Sequence, residues 1–193
     1  MVKSDDSGID GGSGRAGAIL GRSWLIFPIL ILAAVLRLLM IGLPLWFDEL
    51  ASIFFASQPL DRLWSYWMVR ETNPPLYYTI LKSVFSLFPY QLFPMRLLSA
   101  LAGILSIWMI WHIIRRVTSV QAANIGATLL ALSSLHLYFS AELRGYIFGF
   151  LCVTVSLYAI LRWIDYSSDR RARRFYLALY MVAGLAGVYL HTT

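Results

Sequence analysis

Five stretches of roughly 20 mostly apolar residues constrain this chain more than any other feature: about 23–43, 93–114, 119–138, 143–163 and 174–191. A soluble core could not hide them all, and only 13% of the residues are charged against 59% hydrophobic. With a mean hydropathy of +0.68, the chain belongs to the membrane class. A net charge of +6 would suggest nucleic acid in a soluble protein, but the excess of Lys and Arg in cytoplasmic loops of membrane proteins accounts for it here. No nucleic-acid partner is therefore expected. The single cysteine, Cys152, lies within an apolar run, so no intrachain disulfide can form. Residues 1–22 are rich in Gly, Ser and Asp and read as a disordered cytoplasmic tail. The apolar run that follows is long and has no small-residue cleavage site after it, so it reads as a retained signal anchor.

The arginines set the predicted topology. Arg115 and Arg116 end one apolar stretch, and Arg170, Arg171, Arg173 and Arg174 fill the connection between the last two. Placing both clusters in the cytoplasm makes the 93–114 stretch begin outside, where the first helix also ends. Residues 44–92 then start and finish on the outer side, and the apolar piece at 75–90 cannot be a full span. Thr79, Lys82, Ser83 and Ser86 recur on one helical face there, as in a helix lying in the membrane interface. Residues 60–70 show a similar apolar face in Leu60, Leu63, Trp64 and Trp67. The expectation is an all-α membrane protein of about five transmembrane helices with a large outer loop of amphipathic helices. Most of the 16 Lys and Arg residues then fall inside, with Arg62, Arg70, Lys82, Arg96 and Arg144 outside. That layout also gathers Asp48, Glu49, Glu71, Arg96, Glu142 and Arg144 at one face.

Several short motifs there can carry chemistry. Asp48 and Glu49 in "LPLWFDELAS" either cap an interfacial helix, where anions suit the N-terminus, or supply a general base. In "RETNPPLYY", Pro74 and Pro75 start a helix and suit a fixed loop that could direct Glu71 and Asn73 toward a ligand. Arg96 in "PMRLLSA" either snorkels at a helix end or forks onto a phosphate. "SAELRGY" concentrates Glu142, Arg144 and Tyr146 around Gly145. Arg37 lies inside the first apolar stretch, where a charge costs roughly 2.5–3.5 kcal/mol on insertion scales, so it requires a polar partner, with Asp48 or Glu142 as candidates. His191 is either a ligand or an interfacial histidine, and His112 and His136 carry no assigned function. The sequence contains no P-loop, dinucleotide glycine pattern or CxxC pair.

In their order along the chain, an arginine in the first helix, "WFDELAS", "NPPLYY", "MRLLSALAG", "YFSAELRGY" and "LHTT" resemble the bacterial GT-C glycosyltransferases. These are relatives of the protein O-mannosyltransferases and the lipid A aminoarabinose transferases. The resemblance runs from about residue 33 to the last residue. It implies transfer of a sugar from a polyprenyl-phosphate donor to an acceptor glycan, lipid or protein, at the outer face of a bacterial inner membrane. It also implies that Asp48 is the catalytic carboxylate, with Glu49 beside it, and that Arg96 stands where the family keeps an arginine. Together with Arg144 and Arg37, Arg96 is expected to bind the donor phosphate, and Glu71, Asn73, Glu142, Tyr146 and His191 to support the site. Many relatives have His-Pro-Pro where this chain has Asn73-Pro74-Pro75. In the aminoarabinose branch a glutamate just before the prolines helps to hold a metal. Glu71 is one residue from that place, which makes it the candidate ligand should a divalent metal ion be a cofactor. Relatives continue with further spans beyond the histidine motif, so residues 23–193 read as the N-terminal module of a longer enzyme. The rival expectation is a non-catalytic polyprenyl-lipid-binding scaffold or a small transporter.

Overall fold

A computed structural model describes residues 21–71, 73–89, 91–166 and 168–190. Apart from Gly21 and Arg22, the expected disordered tail lies outside the described residues, as does His191. Every regular element among them is helical, as expected for an all-α membrane protein.

A short 3₁₀ turn, Ser23–Leu25, leads into α1, Ile26–Met40. Three pieces follow at one end of the bundle: α2 (Phe47–Ser57), the single turn α3 (Leu60–Leu63) and a 3₁₀ stretch, Tyr66–Arg70. Helix α4, Pro75–Leu87, starts with proline at its first position, where the missing N–H is not needed. At 13 residues it rises only about 20 Å, too short to cross a bilayer. The long helix α5, Leu92–Val117, then runs to the far end. Helices α6 (Val120–Leu132) and α7 (Ser134–Ala141) return, α8 (Tyr146–Asp165) goes out again, and α9 (Arg170–Leu190) comes back.

Helix α5 is the post around which α1, α6, α7 and α8 pack, and its buried residues are accordingly spread over more than one face. Small residues bring its neighbours close. Ala123, Ala127 and Ala131 repeat every fourth position along α6 and are fully buried with Ile26, Ala33, Ile107 and Trp111. Large apolar side chains point outward instead: Leu39 is 75% exposed and Leu129 66%, as lipid-facing positions require. A second core, around Tyr77, Tyr78, Leu81, Met95, Leu143 and Ile147, fills the end where α2 and α4 lie.

Among the described residues, three helices have the length and apolarity to cross a membrane: Ser23–Met40, Leu92–Val117 and Tyr146–Asp165. A fourth crossing arises if α6 and α7 count as one. This differs from the expected five spans in two places. The stretch at 119–138 is broken at Ser133, where the two helices meet at 59°. The Ser133 hydroxyl accepts the His136 N–H, which starts a new helix instead of continuing the old one. The last stretch forms α9, whose arginine-rich first turns lower its apolarity.

Candidate functional site

The site is built where α1 ends, α2 begins and α7 gives way to α8. Adjacent residues on a helix point about 100° apart, so Asp48 and Glu49, in the first turn of α2, cannot face the same way. Glu49 turns inward and is 1% exposed. Its carboxylate meets Arg96 side-on: Arg96 Nη2 donates to Oε2 at 2.7 Å and Nε to Oε1 at 3.2 Å. Oε1 also accepts the Leu143 N–H at 3.1 Å, and Oε2 the Trp46 N–H at 3.4 Å. The remaining donors of Arg96 go to the backbone carbonyls of Ile41 at 2.7 Å, Pro44 at 3.3 Å and Leu43. All five guanidinium N–H groups are thus engaged. This one ion pair ties the end of α1, the start of α2, α5 and the 142–145 turn together, and in this arrangement Arg96 has no donor left for a ligand.

Asp48 faces the other way. Its side chain is 37% exposed, and Oδ2 lies 3.3 Å from Arg144 Nη2. Arg144 is largely buried, yet its Nε has no hydrogen-bond partner. Its guanidinium stands 5.9 Å from the centre of the Tyr146 ring. Glu142, two residues earlier, is 5% exposed with Oε1 unpartnered. It lines a cavity of about 270 Å³ with Trp46, Tyr138, Pro44 and the Glu49–Arg96 pair. Burial raises the pKa of the Glu142 carboxyl above the usual carboxylate range, and nearby Glu49 pushes the same way. The Tyr138 hydroxyl, the Trp46 indole and Arg144 offset this in part.

Glu71 and Asn73 bind each other rather than an open space. Glu71 Oε1 accepts from Asn73 Nδ2 at 3.0 Å and from the Tyr78 hydroxyl at 3.1 Å, which staples the turn before α4. Burial, with Glu71 beside it, raises the Tyr78 phenol well above its ordinary pKa and keeps it a donor. Among the described residues no three His, Cys, Asp or Glu side chains come together as a metal set. Oε1 of Glu71 is already shared by two donors.

Arg37 is where the sequence expectation needs correction. Its partner is neither Asp48 nor Glu142 but His136, whose Nδ1 lies 2.6 Å from Arg37 Nη2, while Nη1 donates to the Ala33 carbonyl at 2.9 Å. A guanidinium can only donate, so His136 Nδ1 accepts and the ring proton sits on Nε2. Nε2 then donates to Ser106 Oγ at 2.9 Å, and Ser106 to the Gly103 carbonyl at 2.8 Å. All of these groups are packed between α1, α5 and α7. His136, left without a role by sequence, was findable in principle: a buried arginine demands an acceptor, and this histidine lies in an apolar stretch with no carboxylate.

Beside His136 lies an apolar groove of about 360 Å³, lined by Leu135, Phe139, Tyr146, Ile147 and Phe150 among others. One of its lining residues, Tyr146, is two residues from Arg144. Asp48, Arg144, Glu49, Arg96 and Glu142 therefore form one cluster. Tyr146 lines the groove, Glu71 and Asn73 lie one layer away behind Tyr78, and Arg37 is deeper between the helices.

Fold and site together define an all-α membrane protein with its polar chemistry collected at one end of the bundle. The family model described as dolichyl-phosphate-mannose-protein mannosyltransferase matches residues 72–189, more than half of the chain. The chain belongs to that family, a GT-C type of glycosyltransferase. The match includes Asn73, Arg96, Glu142, Arg144 and Tyr146, while Asp48 and Glu49 precede it. No curated protein and no solved structure matches the chain.

Proposed function

We propose that this protein transfers a sugar from a polyprenyl-phosphate donor to an acceptor glycan, lipid or protein at the outer face of a bacterial inner membrane, with Asp48 as general base. The observation that carries the reading is the division of labour within the acidic pair. Glu49 is consumed by Arg96 and the backbone, whereas Asp48 is accessible and 3.3 Å from a guanidinium. Asp48 would take the proton of the acceptor hydroxyl as its oxygen attacks the anomeric carbon. The bond from that carbon to the phosphate oxygen breaks, and its electron pair stays on the phosphate. Arg144 stands beside Asp48 to stabilise that charge without disturbing the Glu49–Arg96 pair. The lipid chain would run from there into the apolar groove behind Tyr146. No step requires a metal ion held by Glu71.

The test is donor turnover in reconstituted membranes supplied with a polyprenyl-phosphate sugar and an acceptor. Release of free polyprenyl phosphate is expected. Donor bound but never cleaved would contradict the proposal and favour the lipid-binding scaffold. Arg144→Ala should weaken donor binding about 10- to 100-fold, the effect of one lost charged hydrogen bond. Unchanged donor affinity would remove Arg144 from the phosphate site.

A further inference from the structure

The opposite end of the bundle carries its own concentration of charge, which the transfer reaction does not use. There α5 ends in Arg115 and Arg116, α8 ends at Asp165 and α9 starts at Arg170. The carboxylates present are occupied. Asp165 is bound by Arg116 and lies 3.6 Å from Arg162. Asp169 caps α9, accepting the N–H groups of Arg171 at 2.9 Å and Ala172 at 3.1 Å. Arg170, Arg173 and Arg174 are left with no ion pair among the described residues, and they line one cleft of about 290 Å³ with Trp163 and Leu177. Arg173 stacks on the Trp163 ring, its guanidinium carbon 4.3 Å from the ring centre, which orients that fork.

We propose that this cleft binds the phosphodiester headgroup of an anionic phospholipid. Three arginines line one concavity whose lining has no carboxylate, and guanidinium forks match phosphate oxygens better than point charges do. The cleft includes Trp163 near the end of a helix long and apolar enough to cross a membrane, and tryptophans at such helix ends suit the headgroup layer. Ile164 and Phe175, each next in sequence to a lining residue, are exposed and available to acyl chains.

Native mass spectrometry of the purified chain, titrated with phosphatidylglycerol or phosphatidylcholine, tests this directly. Phosphatidylglycerol should bind more tightly than phosphatidylcholine. Replacing Arg170, Arg173 and Arg174 with Gln should weaken its binding about 100-fold at low salt, at roughly a factor of five for each surface charge. Arg171→Gln removes the same charge from the same turn but does not line the cleft, so it serves as the matched control for Arg173→Gln. Equal losses in those two variants would show a diffuse positive field and overturn the site. Equal affinity for the two lipids would do the same. Inorganic phosphate that displaced phosphatidylglycerol at matched concentration would assign the cleft to a free anion instead of a lipid.

Discussion

At the residue scale, the acidic pair shows how two neighbours with the same chemistry acquire different tasks. Glu49 is a buried anion whose cost is met by two guanidinium N–H donors of Arg96 and by two backbone amides. Removing one partner leaves the other charged and buried, so Arg96→Met should destabilise the fold by about 3–5 kcal/mol, read as a large fall in melting temperature. A melting temperature equal to wild type would mean that the pair holds nothing together. Glu142 gives a second, pH-dependent prediction. Its pKa is raised in the folded protein, so the folded state keeps a proton that the unfolded chain releases. The contribution of Glu142 to stability should therefore be complete below the ordinary carboxylate range and decline as pH rises through the raised value. In Glu142→Gln that decline should flatten, and an unchanged pH–stability profile would show that Glu142 is not the group responsible. The "DE" motif itself was legible in the sequence. Its inward and outward assignment was not, because that depends on where α2 lies against α5 and the 142–145 turn. Arg37 was legible as a residue that needs a partner, but the identity of that partner depends on three helices meeting at His136.

At the element scale, close approach of helices depends on missing side chains. Gly145 lets the end of α9 dock on the site turn: a Cβ there would fall on the Leu190 carbonyl oxygen and lie against Tyr77. Gly145→Ala should push α9 away and cost about 1–3 kcal/mol, typical of overpacking. Gly42→Ala, with nothing within 4 Å of the new Cβ, is the control and should be close to neutral. Comparable melting temperatures for both variants would contradict tight docking of α9 on the turn. Hydropathy made the spans legible because lipid demands long apolar runs. It could not reveal the break at Ser133, because the apolar pattern continues across it and only the Ser133 hydroxyl on the His136 amide signals a new helix. The shortness of α4 was legible through Pro74 and Pro75 and through the charge balance that kept 44–92 at one end.

At the scale of the whole molecule, charge is sorted to the two ends of an apolar bundle. One end holds paired acids and arginines in a half-open site; the other holds arginines in excess. The long helix α5 connects them, with Arg96 fixing one end and Arg116 pairing with Asp165 at the other. Under the proposed reaction, a lipid-linked donor would meet the acids and arginines with its phosphate while its chain lay along the apolar helices. The central claim is that Asp48, and not the buried Glu49, performs the proton transfer. The most direct measurement is single-turnover release of polyprenyl phosphate by Asp48→Asn, with donor affinity and melting temperature recorded on the same preparation. The predicted result is a folded protein that still binds donor and releases it about 10²–10⁴-fold more slowly. Release within about twofold of wild type would contradict the assignment and move the search for the base to another carboxylate.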